Sequence, residues 1–120
     1  MVTESLNEAE KWLQKAIDEV PPREEGHIVV GIVHYRLKAC SAEFRRTVMK
    51  VLERWLLSYN QDHVVWALML VELLKATEFI PILKKLRWRV LFKLSPLPWN
   101  ELSYVGGVLK SLQQKERGNN

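Results

Sequence analysis

The sequence predicts an all-α protein of about six helices, arranged as a short stack of antiparallel helix pairs. Two segments 36 residues apart look like copies of one helix–turn–helix unit. Gly26-His27-Ile28-Val29-Val30-Gly31-Ile32-Val33 lines up with Asp62-His63-Val64-Val65-Trp66-Ala67-Leu68-Met69. Leu37-Lys38-Ala39-Cys40-Ser41-Ala42-Glu43-Phe44 lines up with Leu74-Lys75-Ala76-Thr77-Glu78-Phe79 when two residues loop out. Such a repeat marks a unit that cannot bury its apolar face alone and stacks on its neighbour. Apolar residues also recur at helical spacing through most of the chain, and no segment reads convincingly as a strand.

The elements follow in order. Ser5 with Glu8 makes a capping box for a first helix over 5–20, whose face is Leu6, Ala9, Leu13, Ala16, Ile17 and Val20. Pro21-Pro22 ends it, since neither donates a backbone hydrogen bond. Arg23-Glu24-Glu25-Gly26 links to the segment 27–39, whose Ile, Val and Gly31 would also suit a strand. Its counterpart, His63 to Ala76, is rich in Leu, Met and Ala, so helix is expected for both. Ser41 and Thr77 stand at matching places as N-caps. From Phe44 onward, Val48, Val51, Leu52, Trp55, Leu56 and Tyr59 share one helical face.

Asn60-Gln61-Asp62 forms a turn, with Asp62 capping a helix that is apolar nearly all round and therefore central. Pro81 lies in the first turn of the next helix, where a missing N–H costs little. Ile82, Leu86 and Val90 continue it, with partial alternation over Leu86 to Phe92 leaving a strand as the minor alternative. Ser95-Pro96-Leu97-Pro98 is a break. Asn100 caps a last helix (99–115) through Leu102, Val105, Leu109 and Leu112. Gly106-Gly107 weakens that helix or admits a close neighbour. The tail 116–120 is expected to fray.

Length and composition confine the chain to one domain, residues 1–120, with two helix hairpins over 26–93. At 48% apolar and 27% charged residues it is an ordinary globular sequence. The lone Cys40 excludes an internal disulfide and any multi-cysteine metal site. The polar, acidic first residues are unlike a secretory signal, and the longest apolar run, Val64 to Val71, falls far short of the ~20 residues that span a bilayer. A cytoplasmic protein is expected. Net charge is +4, yet residues 1–25 hold seven acids against three bases and residues 26–120 hold seven against fifteen. That asymmetry reads either as an acidic helix packed beside a basic body or as a basic surface for an acidic partner.

The unit from Asp62 to Leu86 resembles a HEAT-like helical repeat. An Asp precedes the first helix, Val64-Val65 and Ala67 open it, and Ile80-Pro81 opens the second helix after a short turn. Residues 26–54 match more loosely. Trp66 stands where such units commonly carry Arg, and residues 26–54 lack the Pro. The resemblance implies a short right-handed, curved stack, an α-solenoid fragment whose second helices line the partner-facing surface. On that surface would lie Arg45, Arg46, Lys50, Arg54, Lys84, Lys85 and Arg87.

Catalytic chemistry finds little footing. His27, His34 and His63 fit no HExxH pattern, and no cofactor or metal is expected. Cys40 has only His34 nearby as a base, and an inert thiol is expected. Asp18-Glu19 and Glu24-Glu25 flank a proline break in a solvated segment, where nothing shifts a carboxyl pKa far enough for acid–base work. Gly106-Gly107 lacks the Lys-Ser/Thr of a phosphate loop.

The run Lys84-Lys85-Leu86-Arg87-Trp88-Arg89-Val90-Leu91-Phe92-Lys93 places five cations and two aromatics in ten residues. It suits phosphates and bases, an acidic protein surface or a membrane interface. Alternatively Trp88 and Phe92, four apart, pack into the core and the cations face water. Trp12, Trp55 and Trp66 are expected in the core, and Trp99, beside Leu97-Pro98, at the surface as a partner anchor. The expected function is a non-catalytic binding module, of adaptor, inhibitor or immunity type, that docks an acidic protein on a basic helical face. The alternative is nucleic-acid binding through Arg45, Arg46, Lys84, Lys85, Arg87 and Arg89. Apolar stack ends leave room for a homodimer.

Overall fold

The computed structural model describes residues 2–20 and 25–118, and six α-helices and no strand occur among them. They are α1 (Val2–Asp18), α2 (Gly26–Lys38), α3 (Ala42–Leu56), α4 (Gln61–Leu74), α5 (Ile80–Leu91) and α6 (Leu102–Glu116). Short 3-10 turns, Thr77–Phe79 and Trp99–Glu101, run directly into α5 and α6. The Pro21-Pro22 break, the Arg23-Glu24 link and the tip of the tail at residues 119–120 lie outside the described residues. The chain divides into two compact units, Met1–Leu52 and Glu53–Asn120, with the division inside α3.

In the first unit, α1 packs on α2. Ala9, Leu13, Ala16 and Ile17 of α1 and Val29, Val30, Val33 and Leu37 of α2 are buried, the 3.6-residue spacing that gives each helix one apolar stripe. The ambiguous segment 27–39 is therefore helical, and burial accounts for its three valines, whereas Ile28 is exposed and Ile32 half-buried. Trp12 is half-buried, edge-on to Phe44 with ring centroids 5.3 Å apart. Ser41 caps α3 as expected, its Oγ accepting the Phe44 N–H at 3.1 Å. Ser5 does not start α1. The helix runs back to Val2, because Val2, Thr3 and Glu4 contain neither Gly nor Pro to stop it.

The second unit holds the end of α3, α4, α5 and α6. Trp55 is buried and lies flat on His63, with centroids 4.0 Å apart. Tyr59, expected on the same buried face, is exposed because α3 stops at Leu56. Asn60 caps α4 in place of Asp62, its side chain accepting the His63 N–H at 3.3 Å. Asp62 sits inside the first turn, where its charge still complements the helix dipole. Val64, Ala67, Leu68, Leu70 and Val71 of α4 are buried, whereas Trp66 is only half-buried and Leu73 is exposed.

Thr77 opens a 3-10 turn without capping through its side chain, and Asn100 lies within the other 3-10 turn, so α6 begins two residues later at Leu102. Pro81 occupies the first turn of α5. The stretch Leu86 to Leu91 is helical, which removes the strand alternative. Phe79, Leu83, Leu86 and Val90 form the buried stripe that leads into α5 and along it, so Leu83 rather than Ile82 carries it. α6 packs most closely on α5 and also on α4. Gly106 and Gly107 lie within α6, and no atom of a neighbouring element approaches where their Cβ atoms would stand, so they serve no close contact.

Helices α4 and α5 end alike. Lys75 (φ 52°) and Lys93 (φ 60°) take the left-handed conformation that usually falls to Gly. Ala76 N–H then donates to Val71 O at 3.3 Å and Leu94 N–H to Arg89 O at 2.6 Å, satisfying carbonyls that the helix leaves open. Lys75 is also tied to α6: its Nζ donates to Ser111 Oγ at 2.5 Å, and Lys115 Nζ donates to Lys75 O at 3.0 Å.

Candidate functional site

The buried stripe Phe79, Leu83, Leu86 and Val90 fixes which side of α5 faces out. Lys84, Trp88 and Leu91 then share the outer face at spacings of four and three, with Arg87 on one flank and Lys85 and Phe92 on the other. Trp88 is 61% exposed, Leu91 49%, Phe92 56%, and beyond the helix end Leu94 is 58% and Trp99 56%. A single exposed Leu is unremarkable, but five large apolar side chains exposed within twelve residues of sequence make this the candidate site. Between Phe79 and Asn100 the sequence contains five cations and no acid. The core placement of Trp88 and Phe92 is therefore wrong: being four apart puts them together, but on the side away from the buried stripe.

The rings are held rather than loose. Trp88 and Phe92 stack with centroids 4.9 Å apart and planes 19° from parallel. Lys93 Nζ lies 5.0 Å from the centre of the Trp99 ring, a cation–π contact at the exposed surface. Its left-handed backbone turns the chain after α5, and buried Leu97 anchors the Ser95–Pro98 break beneath Trp99 in sequence. Surface cations give an approaching acidic group a favourable field, and the apolar rings supply area that gains from leaving water.

The expected site residues fall into three situations. Lys84, Lys85, Arg87 and Trp99 are exposed on the second unit, within the acid-free stretch. Arg89 is turned inward and half-buried, its Nη1 donating to Leu57 O at 3.2 Å just past the end of α3. Arg45, Arg46 and Lys50 belong to the first unit, and Arg54, exposed on the last turns of α3, to the second. Arg45 donates through Nη1 to Lys38 O at 3.1 Å and Cys40 O at 2.9 Å, closing the end of α2, while Arg46 Nε reaches back to Ala42 O at 3.5 Å. Sequence reading missed Leu91 and Leu94 as surface residues. The missing acids between Phe79 and Asn100 were the available signal.

Elsewhere the titratable groups have local duties. Glu19 pairs with Arg36 at 2.5 Å, and this bond holds its carboxyl below the usual range. His27 lies 3.3 Å from Glu25 at the start of α2, and burial followed by the Lys38 charge lowers the His34 pKa. The Cys40 thiol, half-buried, donates to Arg36 O at 3.5 Å. An open depression of about 210 Å³ in the first unit is lined by Ser5, Glu8, Ser41, Glu43, Phe44 and Thr47. Two of its hydroxyls are already engaged within α3, Ser41 as the cap and Thr47 donating to Glu43 O at 3.2 Å. Among the described residues no cluster of three His, Cys, Asp or Glu is placed to hold a metal, and no helix is long and apolar enough to cross a membrane.

No family model, curated protein or solved structure matches this chain.

Proposed function

We propose that this protein is a non-catalytic binding module, of adaptor, inhibitor or immunity type, that docks an acidic protein. The carrying observation is the exposure of Trp88, Leu91, Phe92, Leu94 and Trp99 inside a stretch that holds five cations and no acid. In this reading α2–α3 and α4–α5 are two HEAT-like pairs, and the outer face of α5 is the working surface. The cations speed encounter with an acidic partner, and the aromatic side chains govern how long the complex lasts. The setting is cytoplasmic, a proposal that rests on the single thiol of Cys40.

A nucleic-acid ligand would use the same cations and would stack its bases on the rings. The geometry favours a protein: one face of Trp88 is taken by Phe92 and one face of Trp99 by Lys93. The test is affinity capture from the native cell, comparing the parent chain with the Lys84→Glu, Lys85→Glu, Arg87→Glu variant. A protein retained through nuclease treatment by the parent and lost by a folded variant supports the reading. Capture that nuclease abolishes transfers the surface to nucleic acid, and equal capture by both chains removes it from the function.

A further inference from the structure

We infer that the partner's contacting element is an acidic amphipathic α-helix lying along the outer face of α5. This inference rests on the binding-module reading and specifies the shape of what binds.

The positions on α5 carry the argument. Lys84, Trp88 and Leu91 recur at four and three residues, the seam spacing by which one helix packs along another. Lys85 and Arg87 stand immediately beside that seam, where paired helices place the charges that choose their partner. Leu86 and Val90, on the far side, are buried in the protein's own core, so the seam is not needed for folding the chain. Leu94 and Trp99 prolong the apolar surface past the end of α5. A partner helix with apolar residues at seam positions and Glu or Asp beside them meets this face with matched charge at each flank.

Other backbone shapes fit less well. α5 commits its backbone hydrogen bonds internally, and its last carbonyls are closed by the Lys93 and Leu94 N–H groups, so an extended strand finds no edge to join. A proline-rich segment needs open slots between aromatic rings. Here Trp88 lies against Phe92 and Trp99 against Lys93. A second helix needs neither an edge nor a slot, only a ridge of side chains at matching spacing.

The probe is a dye-labelled synthetic peptide of about 18 residues with Leu at seam positions and Glu at the flanks, long enough to hold a helix once docked. A control of equal composition carries its Leu and Glu in an order that breaks the seam, and a second control has two prolines in its centre. Anisotropy titration of the full chain should saturate with the seam peptide, and circular dichroism should show helix gained on mixing. Both controls should bind at least about tenfold more weakly, and Trp88→Ala and Leu91→Ala should each weaken the seam peptide by about tenfold or more. Tyr35→Ala, removing a still more exposed ring from α2, should leave binding unchanged.

Equal binding of all three peptides, with Trp88→Ala weakening each, would overturn the helical partner while leaving the docking face in place. No binding of any peptide, or binding only to phosphatidylserine vesicles, would overturn it as well. Failure of the underlying reading is separate: the native partner is then captured equally by the parent and by the charge-reversed chain.

Discussion

Replacing Arg45 with alanine separates cations that build the fold from those proposed to dock a partner. The guanidinium donates to two carbonyls, Lys38 O and Cys40 O, at the end of α2, where helix carbonyls lack internal partners. Each net hydrogen bond contributes about 0.5–1.5 kcal/mol, and both lie at the exposed surface, so the loss is about 1–2 kcal/mol. For a chain of this length that lowers the melting temperature by roughly 4–10 °C. Arg45→Lys recovers only part of the loss, because an ammonium cannot present the same fork. Urea denaturation followed by far-ultraviolet dichroism measures it, with Lys84→Ala and Lys85→Ala expected within about 0.5 kcal/mol of the parent. An unchanged midpoint for Arg45→Ala would refute the reasoning, as would loss of partner capture at full stability.

Trp55→Ala should cost about 3–5 kcal/mol in the same assay, since the ring is fully buried against His63, and Trp55→Phe should recover much of it. Tyr104 is pushed up to about 12, chiefly by burial and then by the Glu72 and Glu101 charges. The fold therefore prefers the neutral phenol, and the associated stability is complete below the ordinary value of 10.0 and is lost as pH rises towards 12. Tyr104→Phe should delete the highest step in a phenolate absorbance titration. His34 is shifted the other way, so protonation opposes the fold and stability should decline as pH falls below 6.5, with a flatter profile in His34→Gln. Lys93→Gly relieves a left-handed backbone that costs other residues about 1–2 kcal/mol, and chemical denaturation should show a small gain together with weaker docking of the seam peptide, because the Lys93–Trp99 contact goes.

The helices were legible because burial imposes a spacing on the residues themselves. Segment 27–39 is ambiguous by itself, its counterpart, His63 to Ala76, argues for helix, and both are helical in the structure. Helix ends were read less well, since capping is a contest among neighbours that each offer a suitable oxygen. Asn60 lies at the position whose side chain reaches the His63 N–H, and Asp62 lies two residues too far along. Ser5 had an ideal cap signature and lost to three upstream residues that tolerate helix. Tyr59 continued the apolar face of α3 in spacing, but spacing does not say where a helix stops. The outer face of α5 was half legible: its cations were evident, while the side taken by Trp88 and Phe92 depended on whether Ile82 or Leu83 led the buried stripe. Arg45 and Arg89 show the opposite limit, because no pattern of charge reveals that a guanidinium will reach a carbonyl on another element.

Gly106 and Gly107 sit in the first half of α6 with open space beside each, and a Gly inside a helix weakens it by about 1 kcal/mol relative to Ala. α6 is also the helix on which α5 packs most closely. The helix that backs the exposed side of α5 thus carries two residues of low helix propensity in its own first half. With open space beside each glycine, two added methyl groups would stabilise α6 without a clash, and the support beneath Trp88 and Leu91 would stiffen with it.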